Sequence, residues 1–246
     1  MQTLSGKRIF ITGGTSTLGE AFVKNALQSG AAVYFTYFQN QAKAQELTAE
    51  GAHGLCADLR KSGGIEQILK DIKSKETALD ILIHNAALVR DHTLQNMTEE
   101  DWDEVMAVNV KAAYLLVKAF LPLMFRASRA NGQAKIFFMT SRVAVRGGFG
   151  VANYAASKAA LNGLMKSLAK ELGKKNILVN AVNPGFMMSG MTRGLPEIVI
   201  ENNLQATPLG KASSPGEVGG LLTYLCSDAM TQVTGQVLNF EGREIV

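Results

Sequence analysis

Two cysteines, Cys56 and Cys226, are the only thiols in the 246-residue chain. They stand far apart and neither belongs to a CxxC pair, which argues against a disulfide framework and a cysteine zinc site, so no metal is expected. Long apolar runs are also missing. Nothing approaches the ~18 uninterrupted apolar residues of a membrane helix, and the nearest stretch, Ala112 to Phe125, is cut by Lys118 and Pro122. The segment Met1 to Ile11 has no long apolar run and no small-residue cleavage site, so a cytoplasmic protein with no membrane partner is expected. Neither sign of charge dominates: 25 basic against 21 acidic residues give a net charge of +4. The basic residues are scattered, without a stripe or an Arg/aromatic block, so nucleic acid is not an expected partner. No Pro/Gly/Ser-rich linker, low-complexity tract or repeat divides the chain, which reads as one domain, 1–246. At 47% hydrophobic and 19% charged residues, a disordered chain is excluded.

What is present is an alternation. Short β-branched or aromatic runs occur at Arg8–Thr12, Ala32–Tyr37, Gly54–Ala57, Ile81–His84, Lys135–Thr140, Leu178–Val182 and Gln236–Phe240. Several are apolar almost throughout, as strands buried on both faces of a parallel sheet would be. Helical patterns fall between them, at Leu18–Gln28, Gln41–Glu50, Gly64–Lys75, Glu99–Met124, Asn153–Lys174 and Gly216–Ser227. The expected fold is α/β, a Rossmann-type, doubly wound, seven-stranded and mostly parallel sheet with helices on both faces. The segment from Pro184 to Ser214 interrupts the rhythm with three prolines, several glycines and two helix-compatible pieces, Met187–Arg193 and Glu197–Gln205. Inserted before the last strand, it lies beside the carboxyl ends of the strands, where such folds bind ligands, and reads as a lid.

Four features carry chemistry. The strand ending Ile11-Thr12 runs into Gly13-Gly14-Thr15-Ser16-Thr17-Leu18-Gly19 and then a helix. Glycines admit a pyrophosphate close to the backbone, and the unpaired amides of a helix N-terminus suit an anion. Tyr154 and Lys158 stand four residues apart near a helix start, on one face, where the cation would favour the phenolate. Ser141 follows an apolar strand at its carboxyl edge and could hydrogen-bond a substrate oxygen. Asn109 is a polar residue inside the apolar run Val108–Val110 and, taken alone, reads as helix surface or a local backbone hydrogen bond.

In this order, Thr12-Gly13 with Gly19, Asp58-Leu59, Asn85-Ala86-Ala87, Asn109, Ser141, Tyr154 with Lys158, and Pro184-Gly185, the sequence resembles the short-chain dehydrogenase/reductase family over nearly its whole length. Pro184–Arg193, Ser227-Asp228 and Val233-Thr234-Gly235 are most similar to the bacterial 3-oxoacyl-(acyl-carrier-protein) reductases. The resemblance implies reduction of a ketone by a nicotinamide, with Tyr154 protonating the developing alkoxide and Lys158 lowering the phenol's pKa and holding the ribose. Ser141 would orient the carbonyl and Asn109 anchor a relay water. It implies cofactor contacts at Gly13, Thr15, Ser16, Thr17, Leu18 and Gly19, at Tyr37, Asp58 and Leu59, at Asn85, Ala86 and Ala87, at Tyr154 and Lys158, and at Pro184, Gly185 and Met187.

The chain departs from the family pattern at Thr17, where a loop glycine is usual, at Ala87, and at Glu241-Gly242-Arg243. A β-branched Thr17 would be strained if that position needs positive φ. The second strand ends Thr36-Tyr37-Phe38-Gln39 with neither an acid for a ribose 2′-hydroxyl nor an arginine for a 2′-phosphate. NADPH is expected as cofactor, with NAD possible and Lys43 a distant partner. An acyl carrier protein is the expected substrate carrier, met by Arg126, Arg129, Lys174 and Lys175, and a homo-oligomer, a tetramer in this family, is expected. A reductase of another ketone and a catalytically silent dinucleotide-binding protein are the alternatives.

Overall fold

The computed structural model describes residues 3–190, 192 and 194–240. The first half of the chain runs β1 (Arg8–Ile11), α1 (Thr17–Gln28), β2 (Ala32–Tyr37), α2 (Gln41–Ala49), β3 (His53–Cys56), α3 (Ser62–Lys75) and β4 (Ile81–His84). Next come α4 (Glu99–Met106), a π-helical turn (Ala107–Lys111) and α5 (Ala112–Asn131), then β5 (Ala134–Met139), α6 (Val143–Arg146) and α7 (Ala152–Leu172). The chain closes with β6 (Ile177–Asn183), α8 (Glu197–Gln205), α9 (Pro215–Cys226) and β7 (Val237–Asn239).

All seven strands pair in parallel in the order β3-β2-β1-β4-β5-β6-β7. The apolar runs explain this: β4, β5 and β6 are buried along their whole length, as only a sheet covered on both faces allows. One face packs Phe10, Leu82, Ile136 and Phe138 against Phe120, Leu123 and Met165. The other packs Ile9, Ile83 and Phe137 against Phe22, Val23, Val218 and Leu222. Strand order reverses at β1, which has β2 on one side and β4 on the other. The carboxyl ends of β1, β4, β5 and β6 therefore open onto one edge, beside the switch point where doubly wound folds bind their ligands.

Where sequence and structure differ, the reasons are local. Helix from Glu99 runs on to Asn131, past the expected end at Met124, and stops at Gly132 with φ +80°. Its most apolar 18-residue window has a mean hydropathy of 1.5, because Ala112, Leu116, Phe120 and Leu123 face the core. The described residues of 187–193 form turns closed by Thr192, whose hydroxyl donates to the Met187 carbonyl at 2.8 Å, and not the helical piece expected there. Met191 and Arg193, and Glu241-Gly242-Arg243, lie outside the described residues. Among the described residues Asn176 is the one non-glycine with positive φ, so Thr17 and Ala87 carry no strain.

Candidate active site

Thr12, Gly13 and the first turn of α1 build the glycine loop. Gly13 has φ +67°, and a Cβ there would stand 3.0 Å from Ala86 Cα. At Gly14 a Cβ would stand 2.5 Å from that of Phe35, and at Gly19 it would strike the Gly13 carbonyl. Each glycine is therefore needed for close packing of strand, loop and helix. Ser16 caps α1, accepting from the Gly19 amide at 3.1 Å. Asn85 locks the loop from outside: its amide nitrogen donates to the carbonyls of Thr12 and Gly13 and to the Ser16 hydroxyl, at 3.0, 3.1 and 3.1 Å. The Thr17 and Leu18 amides have no acceptor among the described residues, as expected at the positive end of a helix that receives an anion. Leu18 buries its side chain in the core, so only its backbone can face a ligand.

The carboxyl ends of β5 and β4 bring the reactive groups together. Ser141 lies two residues beyond β5, near enough to the Tyr154 phenol on α7 for its hydroxyl to lower the phenol's pKa. Lys158, one turn further along α7, is 2% exposed, donates to the Met139 carbonyl at 2.7 Å and lies 5.4 Å from the Tyr154 ring centroid. An ammonium has three donors, and one is used here, so the site can take further oxygen acceptors. Burial holds the amine down to about 7. The phenol is pushed up to about 12, chiefly by burial and then by the Asp91 carboxylate, while the nearby Ser141 hydroxyl pulls it down. Burial outweighs that pull, so Tyr154 stays protonated at neutral pH.

Asn109 is fully buried in the π turn and is not helix surface. Its side-chain oxygen accepts from Leu88 N at 2.7 Å, and its nitrogen donates to Leu88 O and Ser157 Oγ, each at 3.0 Å. Ser157 in turn donates to the Tyr154 carbonyl at 2.7 Å. Asn109 therefore ties the loop after β4 to the helix that carries Tyr154.

The sequence reading missed His84, which closes this network from β4. The Thr12 hydroxyl accepts from the Asn85 and Ala86 amides at 3.0 and 2.9 Å. Its own proton therefore points to His84 Nδ1 at 3.4 Å, leaving Nε2–H to donate to the Asn109 carbonyl at 3.2 Å. Burial, reinforced by the nearby Lys158 ammonium, drives the imidazole down to about 3, so it is neutral. A lone polar residue closing the apolar strand Ile81–His84 was the available signal.

Next to the loop, a cleft of about 360 Å³ is lined by Gly13, Tyr37, Asp58, Leu59, Ala86 and Ala87 of the expected residues. It also holds Phe38, Arg60 and Arg90, which the sequence did not single out. Asp58 is held by Arg60, which bonds both of its carboxylate oxygens at 2.9 Å. Lys43 pairs with Glu20 and Glu46, at 3.2 and 2.7 Å, and does not line the cleft. Pro184 and Gly185 (φ +77°) follow β6 at the same sheet edge, and Met187 packs on the core beneath.

The four expected docking cations do not rim this edge. Arg129, Lys174 and Lys175 line a separate cleft of about 570 Å³ beside the starts of β5 and β6. Arg126 is close by in sequence and donates to the Thr77 carbonyl at 2.5 Å. Six-residue β5 separates that cleft from Ser141 by roughly 20 Å. Helices that return antiparallel to the strands end at the amino edge of the sheet, which is why their terminal cations collect there.

A doubly wound sheet with a glycine loop at its switch point, and Ser141, Tyr154 and Lys158 meeting beside it, defines a dinucleotide-dependent oxidoreductase. The chain belongs to the short-chain dehydrogenase/reductase family: residues 13–242 match the family described as enoyl-(acyl carrier protein) reductase. It is 36% identical over 99% of both chains to the 3-oxoacyl-(acyl-carrier-protein) reductase of Thermotoga maritima, and 33% identical, over 96% of each, to that of Escherichia coli. Among solved structures, the Pseudomonas aeruginosa RhlG/NADP active-site complex superposes with a TM-score of 0.91 at 29% identity, covering 99% of this chain and 98% of that one. The 3-ketoacyl-(acyl-carrier-protein) reductase of Brucella melitensis complexed with NADH gives the same TM-score at 25% identity, covering 99% and 100%.

Proposed function

We propose that this protein reduces 3-oxoacyl thioesters on an acyl carrier protein to the 3-hydroxyacyl form with NADPH, in fatty acid or polyketide-like synthesis in the cytoplasm. The observation that carries the reading is the meeting of Ser141, Tyr154 and Lys158 beside the glycine loop, in a chain 36% identical along its length to such a reductase. The residues fit the cofactor: glycines that leave no room for a Cβ, open amides at the start of α1, a cleft of about 360 Å³ and a buried ammonium with unused donors. Gly13 to Gly19 would hold the pyrophosphate, the cleft the adenosine, and Lys158 with Pro184, Gly185 and Met187 the nicotinamide end.

When bound, the reduced nicotinamide supplies the hydride that adds to the ketone carbon. Ser141 holds the ketone oxygen in place by donating a hydrogen bond to it. Tyr154, protonated across the neutral range, gives its proton to that oxygen as negative charge develops there. Hydride plus proton account for the alcohol formed. The buried Lys158 amine, held down to about 7, carries a partial charge at neutral pH, and that charge would stabilise nearby negative charge more strongly than an exposed ammonium. Asn109 keeps α7 in register through Ser157 and Leu88.

The segment 184–214, whose Asn203 side chain accepts from Arg142 just before α6 at 3.4 Å, serves as the lid over the acyl chain. A homotetramer belongs to the same reading, with Tyr114 of α5, 47% exposed, and the small Ala159 of α7 on the free helix faces. Consumption of NADPH and NADH with acetoacetyl thioesters and with simple ketones tests it. Turnover of the thioesters with NADPH is expected; turnover of simple ketones alone would overturn the substrate, and equal efficiency with NADH would overturn the cofactor preference.

A further inference from the structure

The end of β2 carries no cation of its own, but the fold brings one there from elsewhere. Arg60, in the turn after β3, lays its guanidinium over Phe38, 5.4 Å from the ring centroid. Phe38 is the first residue past β2. In doubly wound folds the ribose 2′-position of a dinucleotide is recognised at that strand end. Nε and Nη2 of Arg60 bond the two oxygens of Asp58 at 2.9 Å, and its backbone N–H bonds Asp58 Oδ1 at 3.0 Å. Nη1 bonds Glu104 Oε1 at 2.5 Å. The other oxygen of Glu104 is held independently by Arg90, at 3.1 and 2.8 Å.

We infer that Arg60 recognises the 2′-phosphate of NADP, with Asp58 orienting its guanidinium and Glu104 as the counter-ion that gives way to the phosphate. The inference rests on reading the cleft as the adenosine end of the cofactor site. Three features support it. Both acids near the strand end are already matched by arginines, so no free carboxylate remains to favour a bare 2′-hydroxyl. Asp58 grips one side of the planar fork and fixes it, so little freedom is lost when the remaining donors meet a phosphate. When Nη1 leaves Glu104, that carboxylate keeps Arg90, so the exchange strands no charge. Lys43, the alternative cation by sequence, is committed to Glu20 and Glu46.

Calorimetric titration of NADP, NAD and 2′,5′-ADP into the wild type, Arg60→Met and Glu104→Gln, without substrate, tests this. The Arg60 side chain is 35% exposed, so its replacement leaves the core intact. Arg60→Met should weaken NADP and 2′,5′-ADP by about tenfold or more, with NAD within about twofold, and should flatten the salt dependence of NADP binding. Glu104→Gln should tighten NADP and leave NAD unchanged. Equal weakening of both dinucleotides in Arg60→Met, unaltered NADP binding in that variant, or selective loss of NADP in Glu104→Gln would overturn the assignment. A wild type that binds neither dinucleotide would refute the cofactor site itself, a result distinct from a failure of Arg60 alone.

Discussion

Replacing Asn109 by leucine isolates the network that holds the candidate catalytic helix. The side chain is fully buried, and leucine has a similar volume without its polar atoms. Three hydrogen bonds disappear, to Leu88 N, Leu88 O and Ser157 Oγ. Ser157 keeps its bond to the Tyr154 carbonyl, so the orphaned groups are the amide and carbonyl of Leu88. A buried group left without a partner costs about 1–3 kcal/mol. Leu88 is only partly buried, which puts each near the lower end, for a total of about 2–4 kcal/mol. For a chain of this length that corresponds to a fall in Tm of roughly 5–15 °C. Since the same bonds fix α7 against the loop after β4, kcat should drop as well, by up to about a hundredfold for a displacement near 1 Å. Urea denaturation gives the first quantity and steady-state assays the second. A midpoint shift equivalent to less than about 0.5 kcal/mol, together with unchanged kcat, would refute the assigned role of Asn109.

Two further outcomes follow from burial and charge. Lys158 titrates at about 7 in the fold against 10.5 when free, so between those values the unfolded chain binds more protons and stability rises with pH. Below 7 both states are protonated and the burial penalty is fully present. Lys158→Met removes that term, while Lys135, lowered to about 8 by burial, stays in both proteins and cancels from the comparison. The stability of the variant relative to the wild type, from urea midpoints at pH 6 and pH 9, should therefore fall as pH rises; a constant difference would contradict the buried amine. Charge reversal at Arg126, Arg129, Lys174 and Lys175 should leave turnover of a carrier-bound substrate unchanged at low salt, because their cleft lies at the sheet edge opposite Ser141. Slower turnover of the carrier-bound substrate alone would place docking at that cleft.

The strands were legible because a sheet covered on both faces needs near-continuous apolar runs, and Ile81–His84 and Lys135–Thr140 have nothing else to satisfy. The glycine loop was legible because close backbone packing at Gly13 and Gly19 tolerates no side chain. Tyr154 and Lys158 were legible because helical spacing puts them on one face. The π turn was not: Ala107–Lys111 reads as ordinary helix, and its register shift is set by where Asn109 finds Leu88 and His84. Arg60 was hidden for a similar reason, since only the parallel pairing of β2 with β3 brings the turn after β3 beside Phe38. The site of the basic cleft could have been deduced, because helices that return across a parallel sheet must end at its amino edge. Charge alone suggested a rim around the wrong end.

Tyr154 is the proton donor of the proposed reduction, and Tyr154→Phe measures that role with the least ambiguity. The phenyl ring keeps the packing on α7 and removes only the hydroxyl that meets Ser141. With acetoacetyl thioester and NADPH, kcat should fall by about 10²–10⁴-fold, while NADPH titrated by its fluorescence binds as tightly as before. A phenylalanine variant that still oxidises NADPH at the wild-type rate would contradict the mechanism outright.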